Sequence, residues 1–225
     1  MNGRADPAAF ADLVRRSGAD VVVAQELAPE QARALGDVLP HGRFEPARDF
    51  TGMGIALRHP ADFDRVPLAY RDARIARLDS AHWPALAGGL EIVNVHMASP
   101  AFGAQAWARF RHRRKQCRGL VEYLDATPGR TRAVLGDFNA TPSWPLYRVV
   151  AARLEDLALS HARSRGARPA RTWARWVDGP PLLRIDHCFG SGLRVDDFQV
   201  VAIRGSDHSG LVVDLSLDEP AASGR

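Results

Sequence analysis

The stretch AVLGDFNATP, residues 133–142, decides how this chain is read. Ala133-Val134-Leu135 is an apolar run of the kind that ends a buried strand, and Gly136-Asp137 follows at its boundary. A carboxylate at a strand end loses part of its water, so it has to be paired, hydrogen-bonded or bound to a cation. Asn139, two residues on, shares a face with Asp137 if the backbone stays extended. Gly136 lets backbone approach closely, and Pro142 has no amide to give to a sheet, so pairing ends there.

Working outward, the 225 residues suit one layered α/β or all-β domain, and no interior linker, repeat or low-complexity tract divides them. One domain is expected over residues 1–217, with a flexible tail at 218–225. With 46% apolar and 25% charged residues, the chain is able to bury a sizeable core. The net charge of +4 invites a polyanionic partner. Yet Lys115 is the only lysine among many arginines, which looks more like codon bias than a selected binding face. The two basic clusters, Arg109 to Arg118 and Arg163 to Arg175, read first as a solvated helix face and a solvated loop. Cys117 and Cys188 lack metal-ligand spacing and are expected to be buried thiols. No apolar run is long enough to span a membrane and no secretory signal is present, so the chain as written reads as soluble and cytoplasmic.

Periodicity predicts a helix over 7–17, capped by Asp6 and stopped by Gly18, then a buried strand over 20–24 that closes on Gln25-Glu26. A short helix is expected over 29–39, and strands over 54–57, 75–78 and 90–96. A long helix is expected from Ser99, as N-cap, to Leu124, with Phe110, Cys117, Val121 and Leu124 on its inner face. Further strands are expected over 132–137, 183–189, 198–203 and 211–215, with a helix over 144–150 and an Arg- and Pro-rich loop over 164–181. Strands outnumber helices and several are joined by short turns, which suggests a sheet sandwich with helices outside.

Polar residues recur at strand ends: Glu26, His96, Asp137 with Asn139, Asp186 and Asp207-His208. Singly, each has an ordinary explanation: a surface carboxylate, a satisfied core histidine, a turn. Together they fall where a rigid layered sheet assembles sites from distant positions.

QE (Gln25-Glu26), VNVH (Val93 to His96), GDFNATP, RIDH (Arg184 to His187) and SDH (Ser206 to His208) occur in the order and approximate spacing of one superfamily. On those motifs, spread over residues 19–215, the chain resembles the endonuclease/exonuclease/phosphatase superfamily of DNase I-like, metal-dependent phosphoesterases. The resemblance implies an α/β four-layer sandwich, two mixed β-sheets packed face to face with helices outside, cleaving phosphoester bonds with Mg²⁺ or Mn²⁺.

The residue types suit that chemistry. A hard divalent cation takes oxygen ligands, which makes Glu26 the first metal ligand and Asp207 a second, directly or through water. Asp137 matches the family's water-activating base, with Asn139 orienting water or phosphate without adding charge. His208 is expected to stabilise the phosphorane or protonate the leaving oxygen, held by Asp186, whose motif carries His187 in place of the usual aromatic. His96 matches a second histidine of the DNase I-like branch, an acid or a phosphate ligand.

One departure bears on this. Family members begin with a strand bearing a metal-holding Asn, whereas here Met1 stands almost at the first helix. The resemblance therefore implies an absent central strand, unpaired sheet backbone and weaker metal binding, or a late start whose lost extension could carry a signal or anchor. A nucleic acid is the expected substrate of a monomeric enzyme, with the Arg163–Arg175 loop and Trp173 and Trp176 as a possible backbone track. Sphingomyelin, inositol phosphates or an impaired phosphate-binding module are the alternatives.

Overall fold

The computed structural model describes residues 5–100 and 106–218, arranged as four layers. Its central sheet has six strands in the order β4-β5-β6-β7-β9-β8: β4 (Asp62–Val66), β5 (Ala73–Leu78), β6 (Leu90–His96), β7 (Arg132–Asp137), β8 (Glu155–Asp156) and β9 (Asp186–Ser191). Only β6 and β7 run parallel; the other pairs are antiparallel, so the sheet is mixed.

The facing layer is in two pieces. β1 (Val21–Gln25), β2 (His41–Glu45) and β3 (Met53–Leu57) form an antiparallel sheet in the order β1-β3-β2, and β10 (Leu193–Ala202) pairs with β11 (Ser209–Leu217). Among the described residues, β1 and β11 each have one strand neighbour. Between them lies a cavity of about 640 Å³, lined by Val21, Val23, Leu135, Leu211 and Val213 and reaching Asp186 and His208.

Alternation within the apolar strands makes the layers. Val93 and Val134 point into the cluster under α3 (Ala106–Ala126) and α4 (Pro145–Ala151), while their neighbours Ile92 and Ala133 point into the core between the sheets. Both faces are covered, so these strands read as continuous apolar runs. On the far side, α1 (Pro7–Ser17) and α2 (Pro29–Gly36) close over β3 through Phe10, Val14, Leu35, Leu39 and Ala56. α5 (Leu157–Ser164) follows β8 and is capped by Asp156, whose carboxylate accepts the Leu159 amide at 3.0 Å. α1 is delimited as its sequence indicates: the Asp6 carboxylate accepts the Ala8 and Ala9 amides at 2.9 and 3.0 Å, and Gly18 ends the helix at φ 66°.

Several expectations are corrected. Ser99 and Pro100 lie in irregular chain, residues 101–105 fall outside the described residues, and α3 is described from Ala106. The Ala98 amide donates to Gln116 and its carbonyl accepts from Arg113, so α3 holds this segment as a strap across itself. For the same reason α3 buries Arg113 and Gln116 beside Leu120 and Leu124, and leaves Phe110 48% exposed. α2 stops at Gly36, with Leu39 reached by a turn, and Leu183 precedes β9 as an isolated bridge to Trp173. Strands β2, β4 and β8 and helix α5 went unread, the first two because they are edge strands with mostly polar, exposed faces. Cys188 is buried, but Cys117 only partly. Asp218 is tied to the domain by its amide, which donates to the Gly192 carbonyl at 3.1 Å; residues 219–225 lie outside the described residues. No described helix is long and apolar enough to cross a membrane.

Candidate active site

Strand register builds the site's first row. His96 pairs with Asp137 across β6 and β7, and Asp137 pairs with Asp186 across β7 and β9. Three residues separated by up to ninety positions are thus neighbours at one sheet edge. Gly136 makes the close approach possible. Its φ is 137°, and a Cβ there would sit 2.1 Å from the Val95 carbonyl oxygen. Gly136→Ala is therefore expected to destabilise the fold by about 3 kcal/mol or more, read as a lowered thermal midpoint with loss of activity in parallel.

The opposite layer contributes the rest. Glu26 follows β1 in the left-handed region, φ 54°, and its carboxylate lies 3.8 Å from His96 Nε2. The end of β1 is tied to the central sheet by Asn94. Its carbonyl accepts from Gln25 at 2.6 Å, and its amide donates to the Ala24 and Gly54 carbonyls at 3.1 and 3.0 Å. His96 Nε2 lies 3.6 Å from Asp137, and its Nδ1 is buried without a partner. Burial, reinforced by Arg71, holds the His96 ring well below the usual histidine range, so it is neutral near pH 7.

Asp137 accepts the Asn139 amide at 2.7 Å and the Asn139 side chain at 2.8 Å. Asn139 sits at φ 49° and also donates to the Met97 carbonyl at 3.0 Å. It therefore grips Asp137 directly, a closer role than a shared strand face implies. Burial pushes the Asp137 carboxyl up to about 7, with the charge of Asp186 adding to the rise and His208 opposing it.

His208 precedes β11, its Nδ1 3.0 Å from both Asp186 oxygens. Burial by itself would lower this ring, but the charges of Asp186 and Asp137 outweigh it and raise it to about 9. The expected His208–Asp186 pairing is present. Thr172, which nothing in the sequence singled out, donates to Asp186 at 2.6 Å and so fixes the carboxylate that holds the ring. Its neighbour Trp173 bridges to His208 through the backbone, so part of the Arg-rich loop is built into the site, while Trp176 is exposed.

His187 is a core residue. Its Nε2 donates to the Ala140 carbonyl at 2.7 Å, its Nδ1 faces Arg184 at 3.2 Å, and Phe138, Tyr147 and Phe189 surround it. Burial lowers it to about 4. It thus fills an aromatic position as a neutral ring.

Among the described residues, one group has the spacing of a metal-binding cluster: Asp137, Asp186 and His208, with ligand atoms within 4.8 Å of one another. Glu26 joins it through His96 and Asp137. Asp207, expected as a second ligand, is half-buried and anchored by its carbonyl, which accepts the Ala174 amide at 2.8 Å; its carboxylate is not part of the cluster. The donor set fits a hard cation. Glu26 and Asp186 both oppose ionisation of Asp137 in a dry setting, and a divalent ion would offset that surplus negative charge.

An α/β sandwich with carboxylates, an imidazole and an amide gathered at one sheet edge defines the class of DNase I-like phosphoesterases. The chain belongs to the endonuclease/exonuclease/phosphatase family, whose model matches residues 1–208. That family comprises hydrolases acting on phosphoester bonds, typically dependent on divalent metals. No curated protein matches the sequence. The fold is similar to that of an AP endonuclease from Archaeoglobus fulgidus, with TM-score 0.72, 15% identity, and 92% of this chain and 93% of that one covered. It is similar also to the 3′ phosphatase NExo from Neisseria bound to product DNA hairpin, with TM-score 0.70, 18% identity, and 91% and 92% covered. A humanized TDP2 from D. rerio gives TM-score 0.67, 18% identity, and 93% and 91% covered.

Proposed function

We propose that the protein is a metal-dependent phosphodiesterase acting on nucleic acid. The supporting observation is the opposed ionisation of two groups in one cluster: Asp137 at about 7, poised to take a proton near neutral pH, and His208 at about 9, a cation under the same conditions. Environments that push titratable groups apart in this way separate acid from base roles.

Asp137 accepts the proton of the attacking water, with Asn139 holding its carboxylate in place. His208, kept charged and oriented by Asp186, stabilises the negative charge that develops on phosphorus or protonates the leaving oxygen. His96, neutral, donates a hydrogen bond to phosphate. Glu26, which lies against His96 beside Asp137, would hold Mg²⁺ or Mn²⁺. When bound, such an ion neutralises phosphate charge as a Lewis acid. The DNA named for the Neisseria enzyme makes nucleic acid the leading substrate class.

Metal removal tests this reading. After treatment with chelator, cleavage of plasmid or oligonucleotide is expected to fall to background and to return with Mg²⁺ or Mn²⁺. Glu26→Gln is expected to raise the metal concentration giving half-maximal rate at least about tenfold. Undiminished cleavage in chelator would overturn the assignment. The break between β1 and β11 favours one second reading, a phosphate-binding module with little catalysis, since β1 positions Glu26. Phosphate binding without metal-restored turnover would select it.

A further inference from the structure

Beside the catalytic row stands a pair that the mechanism above leaves unused, Tyr70-Arg71. Arg71 is only 9% exposed and its Nε is buried without a partner. Its backbone is fixed, the carbonyl accepting from Gln116 at 3.3 Å. The carboxylates of Glu26 and Asp137 act on its charge, and that charge in turn depresses His96. Removing a guanidinium from water and leaving one donor unsatisfied is costly unless something else takes the bond. Arg71 is within electrostatic reach of Glu26, Asp137 and His96, and a guanidinium fork matches phosphate oxygens.

Tyr70 is strained. Its φ is 77°, a region bulky residues rarely adopt, and such strain persists where surrounding contacts enforce it. The contacts are present: Arg109 donates to the Tyr70 hydroxyl at 2.7 Å, and the Arg71 and Arg109 guanidinium carbons lie 5.3 and 5.1 Å from the ring centre. The ring nevertheless stays 47% exposed. Tyr70 and Arg71 also line a hollow of about 500 Å³ with Thr51, Asp72 and Arg74. Arg74 is already paired to Glu45 at 2.5 Å, so it adds little charge to that hollow.

We propose that Tyr70 and Arg71 form a nucleotide subsite: Arg71 takes a phosphate oxygen, the Tyr70 ring stacks on the adjacent base, and the hollow holds the sugar. This rests on the phosphodiesterase reading and narrows its substrate. A base can lie on the ring only with its own face uncovered, so the subsite selects single-stranded nucleic acid over a stacked duplex. Inositol phosphates and sphingomyelin offer no such face.

The test compares fluorescein-labelled oligothymidylate with an oligomer of equal length built from tetrahydrofuran abasic units, which keeps the phosphates and removes the bases. Binding is read by fluorescence anisotropy with Ca²⁺, and turnover with Mg²⁺. The wild type is expected to bind oligothymidylate about tenfold tighter. Tyr70→Gly, which suits the positive φ and so preserves the backbone, is expected to shrink that preference to within about twofold. Arg71→Ala is expected to weaken both oligomers about tenfold, with the thermal midpoint reporting that the variant is folded.

Equal wild-type binding of the two oligomers would overturn the subsite, while cleavage of either would leave the phosphodiesterase reading intact. A base preference lost in Tyr70→Gly, with no metal-dependent cleavage of any phosphodiester, would sink that reading and keep the subsite. If Tyr70→Gly instead weakens binding to sphingomyelin or phosphatidylserine vesicles and leaves the base preference unchanged, the ring is a lipid contact and the subsite is wrong.

Discussion

His208→Ala is expected to reduce metal-dependent cleavage at least about a thousandfold, through kcat more than KM. The ring is the one group in the Asp137–Asp186–His208 cluster that carries positive charge, and its geometry is set by Asp186 at 3.0 Å with Thr172 behind it. Its removal withdraws charge at the point where negative charge accumulates and leaves two buried carboxylates facing each other. The stability consequence has a definite sign. A histidine raised from 6.5 to about 9 contributes stability that is fully present below pH 6.5 and is lost as pH rises through about 9. The deficit of His208→Ala against wild type, from metal-free denaturant melts, should therefore be largest in mild acid and shrink above pH 9. Retained cleavage would show that the ring does not serve the reaction.

Asp137→Asn is expected to lose activity on the order of 10³-fold and yet to melt at a higher temperature than wild type at pH 8 without metal. Asn keeps the shape and cannot take a proton from water. Asp137 is the unusual case of a carboxyl raised on folding, from 3.8 to about 7, chiefly by burial. Such a group costs stability once pH exceeds its unfolded value, and the cost grows until about pH 7 and then levels. The advantage of the Asn variant should accordingly vanish near pH 4. A variant both inactive and destabilised at pH 8 would mean that the Asn139 hydrogen bonds outweigh desolvation. If Asp137 and His208 have the proposed roles, the wild type is expected to show a bell-shaped rate profile, rising as Asp137 ionises and falling near 9 as His208 deprotonates. Bound metal draws the acid limb below 7, because its charge favours the carboxylate.

The parts of the molecule that could be read without coordinates share a local cause. Asp6, Pro7 and Gly18 delimit α1 because capping and termination act within a few residues. β6 and β7 announced themselves because both their faces are buried. By contrast, β2 and β4 are polar edge strands whose identity depends on a partner. α3 misled the reading because Arg113 and Gln116, polar by composition, face inward to hold the Ala98 strap.

The site divides in the same way. Glu26, His96, Asp137, Asn139, Asp186 and His208 were legible as residue types at strand ends, because hydrolysing a phosphodiester demands a base, a cationic donor and oxygen ligands, and those demands fix chemistry before geometry. Thr172, Asn94 and Arg71 were not legible, since a hydroxyl in a loop, an amide in a strand and one arginine among many acquire meaning only from what they touch. Sequence alone determined the family and which residue types were candidates for its site. Tertiary structure alone decided the charges those groups carry, because whether Asp137 sits at about 7 and His208 at about 9 depends on lost water and on neighbours brought from distant strands, quantities no local pattern encodes.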